Sequence, residues 1–290
     1  MGKKKFQDLL VRSLSGAVML LIVVGALFWS KWSAGALFAV LMLGGLVEFY
    51  RLCRKRGFSP MYIVGIAMAV AIFIPAFAAF LKWEISEPAV KFSAMRSIMG
   101  AVAALVLTLP MAFIVELWRK KPTPIANIAT TFAGVIYVAM PMVLMFTIST
   151  YLVGKWNPWA ILAFISIIWI NDVFAYLVGV MFGKHRLCER ISPKKSWEGF
   201  AGGLAGAVAV SLLYCHLFGG NLLVWGGLGL VVALTGVAGD FAESLMKREA
   251  DVKDSGSIMP GHGGFLDRFD ALYMSVPFAF VYLVVISELV

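Results

Sequence analysis

The stretch of sequence that decides the fold runs from Trp159 to Phe182 and reads WAILAFISIIWINDVFAYLVGVMF. Its only charged residue is Asp172, and most of the other side chains are apolar. A helix needs about 20 apolar residues to cross the hydrocarbon core of a bilayer. The segment therefore predicts a membrane-spanning helix that carries a polar pair, Asn171 and Asp172, within it.

The composition of the whole chain agrees with this prediction. Of its 290 residues, 61% are hydrophobic and only 14% are charged, and the mean hydropathy is +0.89. A soluble domain has roughly a quarter of its residues charged, so the composition excludes a soluble protein. The net charge of +9 fits basic loops that face anionic lipid headgroups. We therefore predict the bilayer as a partner, and no nucleic acid.

Nine segments are long and apolar enough to be spans. They are residues 13–30, 32–50, 60–81, 97–118, 126–153, 159–182, 199–219, 222–246 and 271–289. The fifth and eighth segments are long, which suggests a tilted or broken helix. The predicted fold class is an all-α polytopic integral membrane protein with about nine transmembrane helices.

The distribution of basic residues predicts the orientation. The N-terminus and the loops after spans two, four, six and eight hold 20 of the 25 lysines and arginines, and the other loops hold five. Short cytoplasmic loops carry an excess of basic residues. We therefore predict a cytoplasmic N-terminus, a location in the cell membrane, and a site on its cytoplasmic side.

The acidic residues divide the chain differently. Ten of the 16 lie between Asp172 and Asp270. The interpretation is that residues 1–155 form a scaffold of transmembrane helices and residues 156–290 form a catalytic region.

The last two spans offer carboxylates to a metal ion. Spacings of three, four and seven residues place side chains on one face of a helix, and this face in span eight contains Asp240, Glu243, Ser244 and Lys247. Asp267 and Asp270 share a face at the start of span nine. An ionisable group within a membrane usually faces a partner or a water-filled cavity. Hence Asp240, Asp267 and Asp270 are predicted to bind one hard cation, Mg²⁺.

The loop between these spans has the composition of a phosphate site. Its stretch from Pro260 to Gly264 is rich in glycine, which lets backbone N–H groups approach an anion closely. Lys253 and Arg268 add positive charge, and His262 is a candidate for phosphate contact or proton transfer. Carboxylates, a glycine loop and cations together are typical of phosphoryl or nucleotidyl transfer. The alternative is that the acids only pair with nearby basic residues at the headgroup boundary.

A second candidate site lies around the loop between spans six and seven. It comprises Asp172, Ser192, Lys194 and Lys195, which could bind an anionic headgroup or a nucleotide phosphate. Two structural alternatives remain open here. Ser192 and Ser196 could be helix caps, with Pro193 at the first position of a helix that Ser192 initiates, and the lysines could serve only to orient the loop.

The stretch from Ser244 to Asp270 resembles the signature of the phosphatidate cytidylyltransferases, also called CDP-diglyceride synthases. The matching residues are Ser244, Met246, Lys247, Arg248, Lys253, Asp254, Gly256, Pro260, His262, Gly263, Gly264, Phe265, Asp267, Arg268, Phe269 and Asp270. Met259 replaces the usual Ile, Leu or Phe. The segment from Asp172 to Gly199 is similar to a second region of the family, with Ser196 where threonine is common.

The resemblance implies a Mg²⁺-dependent reaction of CTP with phosphatidic acid that yields CDP-diacylglycerol and pyrophosphate in phospholipid biosynthesis, by a homodimeric enzyme. The residues predicted to be catalytic are Lys247, His262, Asp267 and Asp270. Those predicted to bind substrate or nucleotide are Asp172, Ser192, Lys194, Lys195, Ser244, Arg248, Lys253, Gly263, Gly264 and Arg268. A CTP-dependent lipid or polyprenol kinase and a secondary transporter are the rival interpretations.

Overall fold

The structure is a computed structural model that describes residues 3–83, 85, 87–258 and 263–290, with side chains from residue 14 onward. Most of the described chain is α-helical. The helices are α1 (Lys3–Trp29), α2 (Lys31–Lys55), α3 (Tyr62–Lys82), α4 (Pro88–Arg119), α5 (Pro124–Gly134), α6 (Met140–Val153), α7 (Pro158–Phe182), α8 (Trp197–Phe218), α9 (Leu222–Glu249) and α10 (Leu266–Ser287). A π-helical turn, Val135–Ala139, joins α5 to α6, and a short hairpin of β1 (Arg186–Cys188) and β2 (Ser192–Ser196) joins α7 to α8.

The lengths and apolar composition of these helices confirm an all-α polytopic membrane protein. Within the described residues, eight helical segments are long and apolar enough to cross a bilayer, with Pro124–Val153 taken as one segment. A shorter apolar stretch, Leu14–Trp29, lies in α1 and corresponds to the first predicted span.

Several helices extend further than their predicted spans, among them α4 and α10. The helix α4 begins at Pro88 rather than near residue 97, and proline is well suited to the first turn of a helix. The helix α10 begins at Leu266 rather than near residue 271. Hydropathy finds only the part of a helix that lipid can surround, so both polar first turns fell outside the predicted spans.

The hairpin between α7 and α8 overturns one alternative from the sequence. Ser192 does not cap a helix that starts at Pro193, because both residues lie in β2, which pairs antiparallel with β1. The helix α8 begins four residues later, and its N-cap is Ser196, whose hydroxyl accepts a hydrogen bond from the Gly199 N–H at 3.1 Å. Proline is tolerated in a strand of this kind because only one neighbour needs its hydrogen bonds.

The chain divides into two compact units. Unit 1 contains residues 1–146 and 249–268, and unit 2 contains residues 147–248 and 269–290. The boundaries of these units differ from the predicted division between residues 155 and 156. That division concerned function, and it stays a prediction.

Glycines bring the helices of unit 2 close together. A methyl group added at Gly203 of α8 would collide with the backbone and side chain of Asn171 on α7. A methyl group at Gly239 of α9 would collide with the backbone carbonyl of Asp270 on α10. Small residues of this kind are typical of contacts between transmembrane helices. The close approach at Gly239 places Asp240 near Asp270 on α10.

Candidate active site

Unit 2 contains a cavity of about 520 Å³ whose lining mixes acidic and basic side chains. Its polar lining includes Asp172 from α7, Arg186, Ser192, Lys194 and Lys195 from the hairpin, and Asp240 from α9. Ligand pockets usually measure roughly 300–1,000 Å³, so a substrate headgroup fits in this volume. The structure thus brings together four residues of the second predicted site with one of the predicted metal ligands.

Three carboxylates form a cluster where α9 meets α10. Asp240, Glu243 and Asp270 each offer one oxygen, and these oxygens all lie within 4.8 Å of one another. Asp240 and Glu243 share a face of α9 because they are three residues apart, and the contact at Gly239 supplies Asp270 from the neighbouring helix. Among the described residues, this group is the candidate metal site.

Glu243 was not predicted as a metal ligand. Its only signal in the sequence was its position three residues after Asp240, and the same spacing occurs by chance on many helices. In the structure, Glu243 is 1% exposed, and its Oε2 lies 2.6 Å from the Lys247 Nζ. A buried carboxylate within a span usually has a functional partner, which is why Glu243 joins the candidate site.

Two lysines balance the negative charge of the cluster. Lys195 reaches across from the hairpin to form an ion pair with Asp240, and its Nζ lies 4.7 Å from the centre of the Phe241 ring. Lys247 pairs with Glu243 one turn along α9. Asp172 is within electrostatic range of Asp240 and Lys195. These ion pairs agree with the alternative that the acidic residues only pair with nearby basic residues at the headgroup boundary. The position of Lys195 in a cavity also allows it to bind an anion.

The cluster fits a magnesium ion by its chemistry. All three donors are carboxylate oxygens, which are the ligands that hard divalent cations prefer. Magnesium in nucleotide-dependent enzymes is usually held by one or two carboxylates together with water and substrate phosphates. Asp240 lines the cavity and is only partly buried, so an ion held by the cluster through Asp240 could also contact a phosphate in the cavity.

The signature loop, defined here as the described residues 250–258 and 263–265, lies between α9 and α10. Asp267, in the first turn of α10, organises it within unit 1. Its Oδ2 accepts hydrogen bonds from the Ser255 N–H, the Ser255 hydroxyl and the Gly264 N–H, each at 2.8 Å. Gly263 has a φ of +83° and lies against the same carboxylate, so a side chain there would be strained and obstructed.

The other predicted residues lie around these two regions. The Ser244 hydroxyl lies 3.4 Å from Asp240 Oδ1. Arg248 is exposed near the end of α9, Lys253 is exposed in the signature loop, and Arg268 is partly buried on α10. His262 lies outside the described residues. Asp267 belongs to unit 1 and Asp270 to unit 2, so the metal-binding role of Asp267 stays a prediction.

Arg186 also belongs to the cavity, although the sequence did not single it out. Its side chain lines the cavity from β1, with Nη1 3.5 Å from the Lys194 carbonyl oxygen. The pairing of β1 with β2 places Arg186 opposite Ser196, which directly follows Lys194 and Lys195 in the sequence. In the sequence alone, where the hairpin cannot be seen, Arg186 is one of several basic residues in a loop.

The fold and this site define a class: a polytopic membrane protein whose carboxylates and lysines surround a cavity suited to phosphate chemistry. The model of the cytidylyltransferase family matches residues 10–286, which is almost the whole chain. The chain belongs to the cytidylyltransferase family.

Two bacterial relatives illustrate the match. A phosphatidate cytidylyltransferase of Staphylococcus aureus (strain COL) is 34% identical in an alignment of 254 residues that covers 80% of this chain and 92% of the relative. A phosphatidate cytidylyltransferase of Mycobacterium bovis (strain ATCC BAA-935 / AF2122/97) is 35% identical in an alignment of 200 residues that covers 63% of this chain and 65% of the relative. The first alignment covers nearly the full length of that protein.

Proposed function

We propose that this protein transfers the cytidylyl group of CTP to phosphatidic acid in a Mg²⁺-dependent reaction, with CDP-diacylglycerol and pyrophosphate as products. Its membership of the cytidylyltransferase family supports the type of reaction, and the names of its relatives support the lipid acceptor. The observation that carries the proposal is the carboxylate cluster of Asp240, Glu243 and Asp270 in the same unit as a cavity lined by basic side chains.

The reaction joins two polyanions. A phosphate oxygen of phosphatidic acid attacks the α-phosphorus of CTP, and the bond from that phosphorus to the bridging oxygen of the β-phosphate breaks. The attacking oxygen is already anionic near neutral pH, so a strong general base is unnecessary. The main barrier is electrostatic repulsion. A bound Mg²⁺ supplies positive charge that offsets this repulsion and stabilises the leaving pyrophosphate.

The basic residues of the cavity act on the same barrier. Lys194, Lys195 and Arg186 line one cavity, where they can hold phosphate oxygens by charge-assisted hydrogen bonds. Ser192 adds a hydroxyl donor. The ion pair with Asp240 positions Lys195. When substrate binds Lys195 or a metal ion binds Asp240, that interaction replaces the ion pair.

The remaining sequence predictions extend the proposal. Lys247, Lys253 and Arg268 are assigned to phosphate contact. The backbone of Gly263 and Gly264 is assigned to the nucleotide, and His262 to phosphate contact or proton transfer. The excess of basic residues on one set of loops supports a site on the cytoplasmic side of the cell membrane, where CTP is available. A homodimer is proposed from the family resemblance.

A direct assay of products tests this function. The purified protein in detergent is incubated with phosphatidic acid, Mg²⁺ and CTP labelled in its α-phosphate. The expected products are a labelled CDP-lipid and unlabelled pyrophosphate, and chelation of Mg²⁺ should abolish both. Release of labelled CDP with a newly phosphorylated lipid would instead identify a CTP-dependent kinase. Uptake of a solute into vesicles without any CDP-lipid would support a transporter.

Replacing Lys195 by methionine is expected to lower kcat/KM by roughly 10- to 100-fold, because a hydrogen bond to a charged group contributes about 1.5–3 kcal/mol. Methionine keeps most of the length of the side chain and removes the charge. Steady-state kinetics with varied CTP and varied phosphatidic acid would measure the loss. The matched control is Lys155→Met, since Lys155 is exposed and lies outside the lining of the cavity. An unchanged kcat/KM for Lys195→Met would show that Lys195 does not contribute to the reaction.

A further inference from the structure

Glu48 lies on α2 in the first half of the chain, far in sequence from every predicted site residue. It is 1% exposed and lies within one of the helices long and apolar enough to span the bilayer. A carboxylate in such a position is costly unless polar groups surround it, and it is by default a candidate for function. The question is therefore which groups surround Glu48.

Among the described residues, the hydrogen-bond partners of Glu48 come from the signature loop and the start of α10. Its Oε2 accepts a hydrogen bond from the Leu266 N–H at 2.9 Å and contacts the Ser255 hydroxyl at 3.0 Å. Its carboxylate also lies against the Cα atoms of Gly256 and Gly264, where an added methyl group would overlap with it. Both glycines thus provide the space that brings the loop backbone onto the carboxylate.

A second contact one turn earlier on α2 supports the same docking. The ring of Phe265 packs onto Gly44 so closely that a methyl group at Gly44 would occupy the position of the ring. Glu48 and Gly44 lie on the same face of α2 because they are four residues apart. Consequently α2 contacts the loop by one apolar and one polar interaction.

Ser255 connects Glu48 to Asp267. Its hydroxyl oxygen lies 3.0 Å from Glu48 Oε2 and 2.8 Å from Asp267 Oδ2. A hydroxyl has one proton and donates to one acceptor at a time, so backbone N–H groups secure the two carboxylates. Leu266 donates to Glu48, whereas Ser255 and Gly264 donate to Asp267. Any displacement of the loop from Glu48 therefore displaces the donors that orient Asp267.

We propose that Glu48 is a positioning residue for the reaction: it docks the signature loop onto α2 and, through Ser255 and the start of α10, fixes the orientation of the Asp267 carboxylate. The inference rests on the proposed function, because the proposed function assigns the loop its role in cytidylyl transfer. It also predicts that one residue of the first half of the chain controls the rate while contacting neither substrate.

The test compares Glu48→Ala with Glu48→Gln. Alanine removes both hydrogen bonds, whereas the side-chain carbonyl of glutamine can still accept them. We expect kcat of Glu48→Ala to fall roughly 10- to 100-fold with KM for CTP changed less than about threefold, since small displacements of positioned groups cost about 10²-fold. Glu48→Gln should recover kcat to within about threefold of the wild type, as a retained acceptor preserves the hydrogen bonds.

Glu116→Gln is the matched control, because Glu116 is a second buried carboxylate of unit 1 whose hydrogen bonds go to Arg119 and Asn127 rather than to the loop. Its kcat should stay near the wild-type value. If Glu48→Ala fails to fold, Ser255→Ala tests the same connection. The expected loss of kcat is roughly 10-fold, which corresponds to about 1.4 kcal/mol for one hydrogen bond to a carboxylate.

Hydrogen exchange separates this inference from the proposed function. Amides of residues 255–258 and 263–266 should exchange faster in Glu48→Ala than in the wild type or in Glu48→Gln, whatever reaction the protein catalyses. Wild-type exchange and wild-type kcat in Glu48→Ala would overturn the inference, and so would an equal loss of kcat in Glu48→Gln. A wild-type protein that forms no CDP-lipid, with the expected exchange pattern, would overturn only the function.

Discussion

Replacing Asp240 by asparagine is expected to lower turnover roughly 1,000-fold, because a metal ion contributes several kcal/mol to transition-state stabilisation and each 1.36 kcal/mol is a factor of ten. Asp240 has two roles in the structure. It contributes an oxygen to the cluster with Glu243 and Asp270, and it pairs with Lys195 at the edge of the cavity. Asparagine preserves the size of the side chain but removes its charge, so both roles are weakened at once.

The measurement for Asp240→Asn is the rate of CDP-lipid formation at a series of Mg²⁺ concentrations. The variant should insert into membranes and purify like the wild type, and it should need more Mg²⁺ for its residual activity. Glu288→Gln is a control of equal charge change at the exposed end of the chain, and it should keep the wild-type rate. A rate for Asp240→Asn within threefold of the control, at the same Mg²⁺ concentration, would contradict the proposed metal site.

The second large effect is expected at Asp267. Replacing it by asparagine should lower turnover roughly 100- to 1,000-fold, in the range seen when one group that stabilises the transition state is removed. The Oδ2 of Asp267 accepts hydrogen bonds from the Ser255 and Gly264 N–H groups and lies 2.8 Å from the Ser255 hydroxyl oxygen. Asparagine can place either an oxygen or an NH₂ group at this position, and the NH₂ group would oppose the two backbone N–H donors. The loss of charge also weakens the predicted contact with the metal.

The Mg²⁺ dependence of Asp267→Asn tests its predicted role as a ligand. If Asp267 binds the ion, half-maximal activity should require more Mg²⁺, as in Asp240→Asn. Asp251→Asn is the control, because Asp251 is exposed in the same loop and its φ of +52° suits asparagine. Near-normal turnover of Asp267→Asn would refute the role of Asp267 in the reaction. A lower rate with an unchanged Mg²⁺ requirement would restrict Asp267 to holding the loop.

Much of the candidate site could be predicted from the sequence because ionisable residues are rare in this chain. When only 14% of residues are charged, a carboxylate at the end of an apolar run, such as Asp172 or Asp240, is conspicuous. The helical spacing of Asp240 and Glu243 was also visible. Choosing the ligands was harder, since a helix face contains several candidates and the partner helix decides which of them meet another carboxylate.

Arg186 and Glu48 show what the sequence concealed. Arg186 looked like one basic residue among several, because the pairing of β1 with β2 involves eight residues whose apolar pattern is weak. Glu48 is separated in sequence by more than 200 residues from Ser255 and Leu266, from which it accepts hydrogen bonds. No local pattern encodes a contact across that separation.

The sequence by itself determined the membrane environment and the approximate positions of the spans, and it indicated the region for which we propose phosphate chemistry, because these depend on properties that sum along the chain: hydropathy, helical period and charge. Only the tertiary structure decided which carboxylates converge, that Ser192 lies in a strand rather than at a helix cap, and that α2 supports the signature loop. Those outcomes depend on close packing at individual residues such as Gly44 and Gly239, where the space left by one missing side chain decides which groups can meet.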